Sequence, residues 1–523
     1  MEFTVPTPDV SDGGLTGIAG WAVSRMGRVP RPFLAERILG VVAHRERDAR
    51  RKADLLAEAA QARLAQGYVP RHLRQAYAAE LAWADAEFAA GRKKEAAASL
   101  TKALMLAFHR VAHLDNGASP LAEDPAAFTG PLRRSRTARA LRKARGRKSP
   151  AAAPEAGRPV RLLIAHSNNA NFLGPLLQRY EQDPDVELRL LNTAADPELK
   201  PLSGGVGRLV RHAVAGDGAY TRAAEAALRP HLDWADVVFV DWCTAAATLF
   251  TRVDPGTTRI VVRLHSFEAL GYWPHVADFS RVDDLVFVSE HLRELCVAAV
   301  PRLAEPDGPR LHVVSNVVPL DRFARPKKPD ARFTLGLVGT SQVAKDPRWA
   351  LEVLKLLRHK DPRYVLHTVG SPLGAAGSAA TARYHEAFLA DLGPLEAEGA
   401  VRQIGQTADV PGALQEVGVI LSTSVRESWH AGLIEGAASG AVPVVRDWPY
   451  FAGKPHGART LFPASWIVTT PAEAAERILA ATADEETWLD LTQEASAHAS
   501  ATWDPRSPLA DFDRILLGGR GES

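Results

Sequence analysis

The sequence is poor in cysteine: only Cys243 and Cys296 occur in 523 residues. That excludes a disulfide framework and suits a reducing compartment. Excess charge of either sign is also missing. With 63 basic residues against 61 acidic ones the formal charge is +2, so the chain as a whole is not built to coat nucleic acid. No apolar run reaches the ~18 residues that a membrane-spanning helix needs. The opening residues include Glu2, Asp9 and Asp12 and show no basic-then-apolar leader pattern, which gives the expectation of a cytoplasmic protein. What is present is ordinary globular composition, 46% hydrophobic with 39 Gly and 36 Pro, in a length that suggests about three domains at ~100–200 residues each.

Residues 1–132 read as a helical N-terminal domain, with Ala-, Leu- and charge-rich helical periodicity near 34–66, 71–90 and 94–114. Leu81 to Arg92 followed by Lys94 to Leu104 reads as a helical hairpin turned at Gly91, similar to one tetratricopeptide unit but without a second copy at a fixed period. His109, His113 and Asp115 have the spacing of two ligands on one helix face, yet no further ligand accompanies them. Residues 133–158 read as a linker. It begins with nine Arg or Lys residues and no acid between Arg133 and Lys148, and turns Ala- and Pro-rich at Ser149 to Gly157. Such a run is a solvated connector or, alternatively, a contact with an anionic membrane surface.

Strand-like apolar runs alternating with helical stretches then predict α/β architecture in two Rossmann-like domains, 159–325 and 326–523. In the first, loops at strand ends hold Asn168, Asn169 and Asn171, then Asp241, then His265 and Glu268. In the second, Gly339 and Thr340 open a polar loop that reaches Lys345. Val419 to Leu421 reads as a buried strand, Ala431 to Ser439 as a helix stopped by Gly440, and Val442 to Val445 as the next strand. The intervening loop carries Arg426, Glu427 and His430 to the strand's carboxyl end, the ligand edge of open α/β sheets. The exposed N–H groups at Ala431, Gly432 and Leu433 suit a phosphate.

The stretch Glu427-Ser-Trp-His-Ala-Gly-Leu-Ile-Glu435-Gly-Ala-Ala-Ser-Gly-Ala-Val-Pro-Val-Val resembles the donor-site signature of retaining GT-B glycosyltransferases, the large family 4 (group 1) in particular. His430 stands where that family more often has Gly, and Thr340 where it has an Arg that pairs with the Lys matched by Lys345. The resemblance covers roughly residues 160–515 and is stronger in the second half. It implies a GT-B fold of two facing Rossmann-like domains, here preceded by the helical domain. It implies transfer of a sugar from a nucleotide-sugar donor to a glycan, lipid-linked or wall or capsule polymer acceptor. Lys345 and the helix start near Gly432 would face the diphosphate, Glu435 the ribose, Glu427 and His265 the sugar, and the loop at Gly405 the base. Asn168, Asn169, Asn171, Asp241 and Glu268 would lie on the acceptor side.

The resemblance also implies a site without metal or other cofactor. The two Asp-x-Asp triplets, Asp183-Pro-Asp185 and Asp511-Phe-Asp513, stand away from the donor loops. Three other classes remain open on the residues alone: a nucleotide-sugar epimerase, a glycosidase using two carboxylates, and a silent GT-B relative serving as a partner subunit.

Overall fold

A computed structural model describes residues 32–518; the opening stretch with Glu2, Asp9 and Asp12 lies outside the described residues. Two six-stranded sheets organise the chain. The first contains β1 (Val160–His166), β2 (Val186–Asn192), β3 (Val237–Asp241), β4 (Arg259–Leu264), β5 (Asp284–Phe287) and β6 (Arg310–Val313), in the order β2-β1-β3-β4-β5-β6. The second contains β7 (Thr334–Val338), β8 (Val365–Val369), β9 (Val401–Gly405), β10 (Val419–Ser422), β11 (Val442–Arg446) and β12 (Ile467–Val468), in the order β12-β11-β10-β7-β8-β9. The pairings are parallel throughout. Helices cover both faces of such sheets, which is why central strands such as β3 and β10 are buried at every residue and read as unbroken apolar runs. Each buried Val, Ile or Leu there contributes about 1.5–3 kcal/mol relative to an exposed one.

These strand orders fix where a ligand can sit. In each sheet the chain runs outward from a central pair in opposite directions. That switch falls between β1 and β3 in the first sheet and between β7 and β10 in the second. Loops leaving the carboxyl ends of such a pair diverge to opposite faces and open a crevice. The two switch points face each other across the molecule, since the loops after β1, β3, β4, β7 and β10 line one cavity.

Ahead of the sheets lie helices Pro32–Arg45, Ala49–Ala65, Leu73–Ala89 and Lys93–Ala107. The periodic stretch expected at 34–66 is broken after Arg45, because Asp48 caps the second helix by accepting from the Arg51 N–H at 2.8 Å. The hairpin turns at Gly91, whose φ of 78° favours a residue without Cβ. Apolar side chains of this region join those of the first sheet and the cleft side of the second in one continuous core.

The basic stretch differs from a solvated connector. Arg133 and Arg134 end the helix Pro125–Arg134, and Arg136–Leu141 forms another. Arg142 donates to the carbonyls of Leu132 (2.9 Å) and Ala138 (3.1 Å). Arg147 pairs with Asp283 and donates to the carbonyls of Gly256 and Thr258. Carbonyl acceptors and one carboxylate hold these side chains on the protein, leaving Arg134, Arg136, Arg139, Lys143, Arg145 and Lys148 exposed. After β12, helix Glu485–Thr502 leads to helix Arg506–Leu517, whose Phe512 packs edge-on to Phe239 of β3 at 5.8 Å. Arg179 ties this last helix down, bridging Asp183 (2.8 Å) and Asp513 (3.1 Å), one from each Asp-x-Asp triplet. No described helix is long and apolar enough to cross a membrane.

Candidate active site

The cavity between the sheets measures about 600 Å³. Its second-sheet wall comes from the loops after β7 and β10 and from the helix Ala431–Ala438. That helix must lie close to the sheet for its first turn to reach the cavity, and two glycines allow it. A Cβ on Gly432 would stand 2.8 Å from Val338 Cβ, and one on Gly436 would stand 2.4 Å from Ile420 Cγ1. The small-residue run of the sequence is thus a packing requirement.

On this wall Lys345 Nζ donates to Glu427 Oε1 at 2.7 Å, and Ser424 Oγ donates to the same oxygen at 2.5 Å. Burial raises the Glu427 carboxyl, but neighbouring His430 and Lys345 and the bonds from Lys345 and Ser424 reverse this and hold it at about 2. His430 adopts the left-handed conformation at φ 71° and ψ 59°, and its Nδ1 accepts from the Leu433 N–H at 3.2 Å. Burial depresses its imidazole to about 4. At neutral pH the proton therefore sits on Nε2, which faces Glu427 Oε1 at 3.6 Å and makes no hydrogen bond. Glu435, one turn into the helix, also lines the cavity, and burial raises its carboxyl. The wall thus presents one lysine, an ionised carboxylate, a neutral imidazole N–H and the N–H end of a helix.

No family profile and no curated protein sequence matches the chain. Solved structures do. Alr3699/HepE of Anabaena in complex with UDP superposes with a TM-score of 0.50 at 15% identity, over 68% of this chain and 99% of that one. The same protein in complex with UDP-glucose gives 0.50 at 14%, over 68% and 98%. An E. coli structure described as trehalose-6-phosphate bound with UDP-2-fluoro glucose gives 0.50 at 14%, over 68% and 99%. The chain has the GT-B fold.

The other wall of the GT-B cleft comes from the first sheet. His265, at the end of β4, is 1% exposed and stacks on Trp242 at 4.0 Å and on Phe172 at 5.6 Å. Burial, then the charge of Arg263, holds it well below its usual range, so it is the neutral ring. Neither nitrogen makes a hydrogen bond of ordinary geometry, although Asn316 stands near enough to favour the charged form. Asn169 and Asn171 line the cavity beside it. The walls touch: Ser428 Oγ donates to Ser266 Oγ at 2.8 Å, the Ser266 N–H donates to Ser428 Oγ at 3.0 Å, and His291 Nε2 donates to the Glu427 carbonyl at 3.0 Å. Backbone strain gathers here as well. Among the described residues other than glycine, positive φ occurs at Asn168, Phe172, Trp242, Asp346 and His430, all in loops around the cleft.

Of the residues the sequence singles out, Asn169, Asn171, His265, Gly339, Lys345, Arg426, Glu427, His430, Ala431, Gly432 and Glu435 line the cavity. Six do not. Asp241 is fully buried in an ion pair with Arg263, at 2.6 and 2.9 Å. Glu268 is fully buried and accepts from the Cys243 and His265 N–H groups, bracing both loops from beneath. Asn168 is turned to Asn192 at the end of β2, in a 3.0 Å side-chain bond. Thr340 donates to the Ser371 carbonyl at 3.1 Å. Leu433 is buried and its N–H is taken by His430. Gly405 ends β9, at the sheet edge beyond β8, and does not reach the cavity. Phe172, Trp242, Ser266 and Asn316 line the cavity without having been singled out; Trp242 follows a strand end as His265 does, and that position was its signal. Neither hairpin histidine points to a metal. His113 donates from Nε2 to the Ala107 carbonyl and meets Ser119 Oγ at Nδ1, both at 2.8 Å. Among the described residues no group of three or more His, Cys, Asp or Glu is arranged to hold a metal ion.

Proposed function

We propose that the chain is a retaining glycosyltransferase, moving a sugar from a nucleoside-diphosphate donor to a glycan, lipid-linked or polymer acceptor. The observation that carries this is the convergence of Lys345, Glu427, His430 and a helix start on one wall of a 600 Å³ cleft, opposite His265. Departure of a nucleoside diphosphate puts negative charge where Lys345 and the Ala431–Gly432 N–H groups stand, and preorganised positive field lowers that barrier. The UDP, UDP-glucose and UDP-2-fluoro glucose of the GT-B neighbours make UDP-sugars the first donors to try. Glu435 is assigned to the ribose. Glu427, ionised and hydrogen-bonded, is suited to accept from sugar hydroxyls, with the His430 Nε2–H and His265 as further polar neighbours. Asn169 and Asn171 border the space for the acceptor. In this reading no step uses a metal.

Glu427 shares the donor wall with Lys345, so it stands beside the leaving group and not behind the anomeric carbon. A double displacement needs its carboxylate on the opposite face, where Asp241 and Glu268 are locked in bonds of their own. Attack from the front face follows, with the departing phosphate oxygen taking the acceptor's proton. Glu427→Gln should lose part of the activity and Glu427→Ala more. NMR of the product should show the anomeric configuration of the donor, and mass spectrometry should find no glycosyl-enzyme. Inversion, or an adduct on the protein, would overturn the mechanism.

A further inference from the structure

The helical region backs the donor wall. Its turn at His113–Gly117 meets the loop after β10, and Tyr450 forms the joint. The Tyr450 hydroxyl lies 3.0 Å from the His113 carbonyl and 2.9 Å from the Asn116 carbonyl, and the Tyr450 N–H donates to the Val425 carbonyl at 3.1 Å. Val425 in turn donates its N–H to the Ala344 carbonyl at 2.8 Å. One relay of bonds therefore runs from the helical turn to the residues that immediately precede Arg426 and Lys345.

Arg426 itself is 7% exposed and lines the cavity. It donates to Ser266 Oγ at 3.1 Å across the cleft, while its buried Nε has no partner. A buried guanidinium with an unmatched N–H is a site that an anionic oxygen would complete. Burial lowers the Arg426 guanidinium, and Tyr450, then Glu427, then Asp115 of the helical turn act against that. Asp115 is 6% exposed and fixed by Arg110 through bonds of 2.6 and 3.0 Å. Thr340, in contrast, is turned to the Ser371 carbonyl and offers the cavity no charge.

We propose that Arg426 is the second phosphate-binding cation of the donor site, and that the helical region, through Tyr450, positions it. The helical region is then a working part of the nucleotide site. Tyr450 is a positioning residue; it does not touch the donor. The inference rests on the donor reading above, and the test separates the two.

Calorimetric titration of the full chain with UDP, GDP, ADP and inorganic pyrophosphate comes first. Binding is then compared in Arg426→Gln, Tyr450→Phe and the double variant. Losing a charge-assisted bond should weaken diphosphate binding about 30-fold in Arg426→Gln. Tyr450→Phe keeps the ring and the backbone bonds but cuts the hydroxyl's link to the helical turn, and should weaken it about fivefold with the melting temperature close to wild type. In the double variant the Tyr450 change should add nothing, since its effect passes through Arg426. Wild-type affinity in Tyr450→Phe, or full additivity in the double variant, would overturn the inference and leave the donor reading standing. Failure of every probe to bind the wild type would overturn both.

Discussion

His430 occupies the left-handed region that costs a residue bearing Cβ about 1–2 kcal/mol, at φ 71° in the loop before the donor helix. The family resembled here more often has Gly at that position, and the backbone says why: the turn into the helix demands it. His430 offsets the strain by capping the Leu433 N–H and by turning Nε2 toward Glu427. His430→Ala keeps the strain and loses the cap, whereas His430→Gly loses the cap and the strain together. Urea unfolding should therefore find His430→Gly more stable than His430→Ala by about 1 kcal/mol. Equal stability, or the reverse order, would show that the conformation is not imposed by the backbone. Lys345 likewise has two roles at this scale. It is the cation facing the proposed leaving group and the ion-pair partner of a Glu427 whose side chain is 10% exposed. Its removal strands a buried carboxylate, so a cost in stability accompanies any cost in turnover.

Among the elements, the helix Ala431–Ala438 decides the site. Gly436 lies against Ile420 of β10 with no room for a methyl group, and overpacking of this kind costs about 1–3 kcal/mol. Gly436→Ala should lower the unfolding free energy by that amount, with a lower midpoint, and, by lifting the helix start off the cavity, weaken nucleoside diphosphate binding. A variant with unchanged midpoint and affinity would mean that the close approach is not needed. This strand–loop–helix unit was legible in the sequence because its signals are local: an apolar run, a polar loop, small residues and a glycine stop. Lys345 was legible for the same reason. Asp241 and Glu268 were not, since a carboxylate at a strand end reads alike whether it faces a cleft or a buried arginine. Its partner Arg263 is a matter of register between β3 and β4. Nor does the sequence show that Arg142 and Arg147 of the basic stretch find their acceptors on the protein, or that the turn after the hairpin docks behind Arg426. Those are contacts between distant segments, and no periodicity encodes them.

At the scale of the whole molecule, buried titratable groups set the pH range of stability. Burial holds His113, His291 and His430 at about 4 and His275 at about 3, against an ordinary 6.5. Their folded values lie below the unfolded one, so the stability from keeping them neutral is complete above about pH 6.5 and is lost as pH falls through about 4. Glu268 acts in the opposite sense. Burial raises it from 4.5 to about 8, so its contribution is complete below about pH 4.5 and is lost as pH rises through 8. Melting temperature should peak near neutrality and fall on both sides, and Glu268→Gln should flatten the alkaline side alone. An alkaline limb unchanged in that variant would remove Glu268 as its cause. The central claim, that the cleft transfers a sugar from a nucleoside diphosphate, is tested most directly by turnover. The full chain would be incubated with a panel of labelled nucleotide sugars, UDP-glucose first, and the released nucleoside diphosphate measured with and without added acceptor sugars. The account predicts release by the wild type and a loss on the order of 100-fold in Lys345→Ala. Absence of release from every donor, or equal release by Lys345→Ala, would contradict it.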